Sequence, residues 1–161
     1  MLFIFDLDGT VINSAHRRAA LPNGDIDLNH WRENSTPEMI ARDTLLPLAD
    51  GWRSIDRRHH QIAVMTARVT SSADIKFLAD HGLHYDFFYS RPEYSVLADA
   101  DLKSIMLRQL KRDSGRSWKY LENYCILWDD NESVRDRLTD HGIRCYDPTF
   151  NNTNLRFTGT L

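Results

Sequence analysis

The chain has 161 residues, of which 42% are hydrophobic and 27% charged, with a formal net charge of −3 at neutral pH. That length suits one domain, 1–161, with a sizeable core, and the balance is that of a water-soluble globular protein. The acidic balance argues against a broad nucleic-acid-binding surface, no apolar run reaches membrane-spanning length, and no signal peptide opens the chain.

The first predicted element is a buried strand, Leu2–Asp6, whose apolar residues run together without a polar face. It leads straight into Asp6-Leu7-Asp8-Gly9-Thr10. Aspartate is a poor strand former, so two carboxylates at a strand end are costly unless something binds them. The competing reading is an Asp-Gly turn that merely closes the strand. In an open parallel sheet, ligands bind beyond the carboxyl ends of the strands, and that is where Asp6 and Asp8 fall.

Residues 11–36 form a long interval rich in polar and turn residues, among them Pro22, Asn23, Gly24 and Asp25. Such intervals are usually lids or binding loops. This one holds His16, Arg17, Arg18 and Trp31. Thr36-Pro37-Glu38 then has the cap and first-turn proline of a helix start. The helix carries Met39, Ile40, Leu45, Leu46 and Leu48, with Pro47 kinking or ending it.

A second apolar strand, Gln61–Thr66, ends at a hydroxyl, with Arg68 two residues on. Ser71 or Ser72 opens a helix with Ile75, Phe77 and Leu78 on its apolar face, closed by His81-Gly82. A strand at Tyr85–Tyr89 precedes a helix over Asp99–Arg112, with Leu102, Ile105, Met106 and Leu110 at helical spacing and Lys103 near its start. Tyr124–Asp129 is another apolar strand, ending in Asp129-Asp130. A helix over Glu132–His141, closed by Gly142, and a strand at Ile143–Tyr146 follow. The 150–161 tail is polar and weakly periodic, and is expected to pack loosely or be partly disordered. Cys125 and Cys145 fall in strand-like segments, which suits reduced thiols in the cytoplasm, a disulfide between them being the minority reading. Strands alternating with helices give an α/β class: a Rossmann-like, three-layer αβα sandwich around a parallel sheet of about five strands.

Strand-Asp6-x-Asp8-Gly9-Thr10, strand-Thr66, Lys103 and strand-Asp129-Asp130, in that order, resemble the four motifs of the haloacid dehalogenase-like (HAD) phosphohydrolases. The resemblance covers the chain from Asp6 to about Asp147, and it implies that 11–36, where cap insertions arise, is too short for a cap domain and gives a minimal cap over an open site, which favours large substrates. It implies a phosphomonoester hydrolase in which Asp6 is the nucleophile of an aspartyl-phosphate intermediate and Asp8 the general acid and base. It also implies Mg²⁺ held by Asp6, the Asp8 backbone carbonyl and Asp129 or Asp130. Thr66 and the backbone amides after Asp6, at Thr10's turn, would bind phosphoryl oxygens. Lys103 would neutralise charge on Asp6 and the phosphate. Taken one at a time the rivals are bland: Thr66 as a helix cap, Lys103 as a solvated first-turn residue, Asp129-Asp130-Asn131 as a turn. Their joint order at one sheet edge defeats those rivals.

Met65-Thr66-Ala67-Arg68, the compact Asp129-Asp130 pair and the post-motif loop further resemble the 3′-phosphatase domain of phage-type polynucleotide kinases. In that resemblance Arg68 contacts the substrate phosphate or the nucleic-acid backbone, Arg17 and Arg18 meet phosphates, and Trp31 stacks on a base or sugar. Trp31 as a loop anchor is the equal alternative. The chain has 16 arginines against 4 lysines, and arginine's planar fork suits phosphates. No Gly-x-x-x-x-Gly-Lys-Ser/Thr loop is present, so the resemblance is to the phosphatase alone. The expected partner is a phosphorylated substrate, a polynucleotide 3′ end first and a nucleotide-type small ester second. A non-catalytic HAD-fold binding module is the remote third reading, and the oligomeric state is left open.

Overall fold

The structure is a computed structural model that describes residues 1–158, with side chains as far as Asn154. Five parallel strands form the central sheet: β1 (Leu2–Phe5), β4 (Gln61–Met65), β5 (Phe87–Tyr89), β6 (Cys125–Trp128) and β7 (Arg144–Tyr146), in the order β5-β4-β1-β6-β7. The sheet is parallel throughout, with Leu2 beside both Gln61 and Cys125 and Phe5 beside both Val64 and Trp128. From β1 the chain builds one half of the sheet outward through β4 and β5. It then returns to build the other half through β6 and β7. The cleft opens at that reversal, beyond the carboxyl end of β1.

Alternation along the strands supplies both faces of the sandwich. Leu2, Ile4, Ala63 and Met65 point into a core with Leu102, Met106 and Leu107 of α5 (Asp99–Ser114) and with Val134 and Leu138 of α7 (Glu132–Asp140). Phe5, Ile62 and Val64 point into the opposite core with Trp52 of α3 (Leu48–Ser54) and with Phe77 and Leu78 of α4 (Ser72–Asp80). This is the expected three-layer α/β sandwich. Trp128 and Trp52 stack on opposite sides of Phe5, at 5.2 and 4.8 Å between ring centroids, and stiffen the strand that delivers Asp6.

Four expectations need correction. The helix opened by Thr36 is α2 (Pro37–Ile40) and stops there. Leu45 belongs instead to β3 (Thr44–Leu45), which pairs antiparallel with β2 (Ile12–Asn13), and a new helix, α3, starts after Pro47. The long 11–36 interval is also more ordered than a loop: it contains β2 and α1 (Leu28–Glu33), capped by the Asp27 carboxylate. Tyr124 ends α6 (Trp118–Tyr124), so the strand begins at Cys125 rather than Tyr124. The tail, finally, is helical as α8 (Pro148–Thr158). Two asparagines anchor its described part: Asn151 Oδ1 accepts from Trp128 Nε1 at 3.1 Å, and Asn152 joins Leu48 N at 2.8 Å to Thr10 O at 3.0 Å. The end of the expected loose tail, 159–161, lies outside the described residues. Cys125 and Cys145 are free thiols. Among the described residues no helix is long and apolar enough to cross a membrane.

Candidate active site

The ends of two neighbouring strands and the start of a helix converge on one pocket. Asp6 leaves β1, Asp129 and Asp130 leave β6, and Lys103 reaches in from the second turn of α5. Carboxylate oxygens of Asp6, Asp129 and Asp130 lie within 4.8 Å of one another. Lys103 Nζ donates to Asp6 Oδ1 at 2.7 Å and to Asp129 Oδ2 at 2.5 Å. Asp6, Lys103 and Asp129 are all buried. Burial pushes Asp6 well above the usual carboxylate range, and the neighbouring Asp129 and Asp130 charges push the same way against the opposing pull of Lys103. Burial also raises Asp129. Lys103 itself is shifted upward, because the two carboxylates more than offset its loss of solvent. The cluster therefore carries more negative charge than its own cations balance.

The turn after β1 is shaped to fit. Thr10 Oγ1 donates to Asp6 Oδ2 at 3.4 Å, so this hydroxyl touches the nucleophile candidate itself. Gly9 has φ +73°, a region that L side chains rarely adopt, and a Cβ there would collide with the Asp130 carboxylate. Asp130 in turn accepts from Arg18 Nη1 at 2.9 Å, and the buried Arg18 Nε has no hydrogen-bond partner.

Asp8 is held differently. Arg68 Nε and Nη2 donate to its two oxygens at 2.9 and 2.5 Å, and Ser14 Oγ donates to it as well. Burial alone would raise Asp8, but the Arg68 guanidinium and these hydrogen bonds outweigh it and hold the carboxyl below its usual range. Arg68 also donates from Nη1 to Asp74 at 2.6 Å, and Asp74 is fixed in the capping box that starts α4.

The predicted site residues thus divide. Asp6, Asp8, Lys103, Asp129 and Asp130 come together. Thr66 is buried at the end of β4, where its Oγ1 accepts from the Arg68 amide at 3.2 Å. Three substrate-contact expectations find other uses. Arg17 is wholly buried and grips Asp43 through Nε at 2.8 Å and Nη2 at 2.6 Å. Trp31 is 1% exposed, with the guanidinium carbons of Arg17 and Arg68 at 4.2 and 4.9 Å from its ring, so the indole packs on guanidinium groups instead of offering a face to a base. Arg68 is buried against Asp8 and Asp74. Arg18 is the loop arginine that lines the pocket. Asp99, Asn131 and Ile26 line it too; sequence reading passed over them, and Asn131, directly after the paired aspartates, was the one with a usable signal.

A family model described as bacteriophage T5 5′-deoxynucleotidase matches residues 1–161. The chain belongs to that family. The 5′-deoxynucleotidase of Escherichia phage T5 is 37% identical over 86 residues, an alignment covering 51% of this chain and 35% of the T5 protein. The chain therefore spans about a third of that relative's length. Among solved structures, the Pnkp1/Rnl/Hen1 complex matches with a TM-score of 0.65 at 20% identity, over 91% of this chain and 45% of the matched one. A haloacid dehalogenase-like hydrolase from Streptococcus pneumoniae matches with 0.64 at 14%, over 91% and 83%. A HAD family enzyme from Bacteroides thetaiotaomicron, solved with magnesium and inorganic phosphate, matches with 0.52 at 13%, over 90% and 92%. The fold is HAD-like.

Proposed function

We propose that the chain is a phosphomonoester hydrolase acting on deoxynucleoside 5′-monophosphates, with residues 1–161 working as one domain and 11–36 as its substrate loop. The observation that carries this reading is the Asp6, Asp129 and Asp130 cluster bridged by Lys103, in a member of the T5 5′-deoxynucleotidase family. Three hard oxygen donors in excess of their local cations fit Mg²⁺, which Asp6, Asp129 and Asp130 would hold. When bound, the cation supplies charge neutralisation that lets an anionic ester approach a carboxylate.

The chain's own groups account for the bond changes. The Asp6 carboxylate attacks phosphorus, the bond to the leaving oxygen breaks, and Asp8 gives that oxygen a proton. Water then attacks the aspartyl phosphate, Asp8 takes its proton, and the Asp6–phosphorus link breaks to release inorganic phosphate. The ionised Asp8 held by Arg68 is the form that this second step uses. The first step needs Asp8 protonated, and the charge of the arriving phosphate dianion pushes its carboxyl in that direction. Lys103 and Arg18 line the pocket that would hold the transferred group.

Removal of 3′-phosphates from polynucleotide ends is the second reading, and it rests on the motif resemblance. Phosphate release from a deoxynucleoside 5′-monophosphate, its 3′-isomer and a 3′-phosphorylated oligonucleotide, with Mg²⁺ and with chelator, separates the two. The 5′-mononucleotide is expected to be the best substrate and chelator to abolish release; faster turnover of the oligonucleotide would reverse the assignment.

A further inference from the structure

Ile26 and Asp99 line the catalytic pocket and also a larger groove of about 480 Å³ beside it. That volume lies within the range of small-ligand sites. One rim is a small hairpin in residues 19–27, closed by an Ala20–Ile26 bridge and by Leu21 N donating to Asp25 O at 2.8 Å. The opposite rim is the 92–98 loop, which is held from below rather than by its own side chains. Buried Arg91 donates to Ala67 O at 2.8 Å, Leu97 O at 2.7 Å and Asp99 at 2.6 Å. Val96 is left 87% exposed and Leu97 43%, while Leu21 across the groove is 45% exposed. These side chains contribute little to the core.

We propose that this groove is the nucleoside subsite. With the phosphate over Asp6, the sugar passes between Ile26 and Asp99, and the base lies against Leu21, Leu28, Val96 and Leu97. The inference rests on the nucleotidase reading and specifies where the leaving nucleoside is bound. Two observations favour this occupant over other alcohols. The groove adjoins the pocket, sharing Ile26 and Asp99 with it, so a leaving group over Asp6 lies beside it. It also combines an apolar wall with hydrogen-bonding groups, the acceptors Asp25 and Asp27 and the donors Asn29 and Arg32, as a base with a flat face and a polar edge requires. The other cavity that shares pocket residues, about 570 Å³, sets Asp130, Glu132 and Asp136 against Arg18 alone, an acidic balance that would repel a continuing phosphodiester chain. The subsite therefore selects a mononucleotide.

The test pairs thymidine 5′-monophosphate with 2-deoxyribose 5-phosphate, which lacks the base, in the wild-type chain and in Val96→Asp. Val96 is largely exposed, so the variant retains its fold. Wild type is expected to prefer the nucleotide at least tenfold in kcat/KM, and the variant to lose about tenfold of that preference, the scale of one apolar contact. Equal preference in the two proteins would overturn the subsite while leaving the phosphatase reading intact. Titration with thymidine alone, followed by NMR of the Val96 methyl groups, reads the groove without turnover. Shifts at Val96 support the subsite even if neither ester is hydrolysed, a result that would sink the nucleotidase reading instead. An unmoved Val96 signal at saturating thymidine would overturn the subsite.

Discussion

Arg68 holds both carboxylate oxygens of Asp8, at 2.9 and 2.5 Å, from 60 residues away in the chain. The same guanidinium reaches Asp74, and its face lies over Trp31. In the proposed mechanism Arg68 acts through Asp8, as a positioning residue buried behind the acid–base candidate.

Arg68→Lys keeps a positive charge but loses the two-pronged grip. The expected result is a fall in kcat of about 10²-fold, the lower end of what general acid–base catalysis contributes, with KM changed less than about threefold. Steady-state kinetics on a nucleotide substrate checks this. A large rise in KM at unchanged kcat would mean that Arg68 binds the phosphate directly.

Gly9→Ala meets both a left-handed backbone and the Asp130 carboxylate. A cost of about 1–3 kcal/mol is expected from the backbone conformation alone. Urea unfolding measures it, and an unchanged midpoint would show that the turn can relax at no cost.

Metal binding should stabilise the fold, because the crowded carboxylates of Asp6, Asp129 and Asp130 are relieved by a cation. At a hundred times the dissociation constant the gain is about 2.7 kcal/mol, or roughly 5–10 °C in Tm for a chain of this size. Thermal unfolding with Mg²⁺ and with chelator reads this directly. The Asp129→Asn variant should lose most of the difference, and a shift that survives it would place the ion elsewhere.

Burial pushes the Cys125 thiol up to about 12 and that of Cys145 up to about 11. A raised thiol favours the protonated form in the fold, so its contribution to stability is complete below the ordinary thiol value, about 8.5. That contribution is lost as pH rises from there through 11 to 12. Iodoacetamide at pH 8 should leave both cysteines unmodified in the folded chain and alkylate both in denaturant. Mass spectrometry of the two samples decides it, and rapid labelling of folded Cys125 would contradict its burial.

The meeting of the candidate site residues was legible because a parallel sheet places every strand end on one edge. Asp6, Asp8 and Asp129-Asp130 each end an apolar run, so their meeting needed only the strand order. Lys103 was legible from its place near a helix start. What resisted reading was side-chain direction in the irregular 11–36 segment. Arg17 and Arg18 are neighbours, yet one turns inward to Asp43 and the other lines the pocket. Trp31 gave no sign that two guanidinium groups would pack on its ring. The break in the predicted helix near Pro47 depends on β3 pairing with β2 some 30 residues earlier, a contact that no local pattern announces. Helix α8 was missed for a similar reason, since Asn151 and Asn152 anchor it through specific hydrogen bonds.

The most direct measurement is to look for the phosphoryl group on the protein. A deoxynucleoside 5′-monophosphate carrying labelled phosphate is mixed with the Mg²⁺-loaded chain and quenched in acid within a single turnover. Peptide mapping should then find the label on Asp6, with none in Asp6→Asn. Label on another residue, or undiminished phosphate release by Asp6→Asn, would contradict nucleophilic catalysis by Asp6.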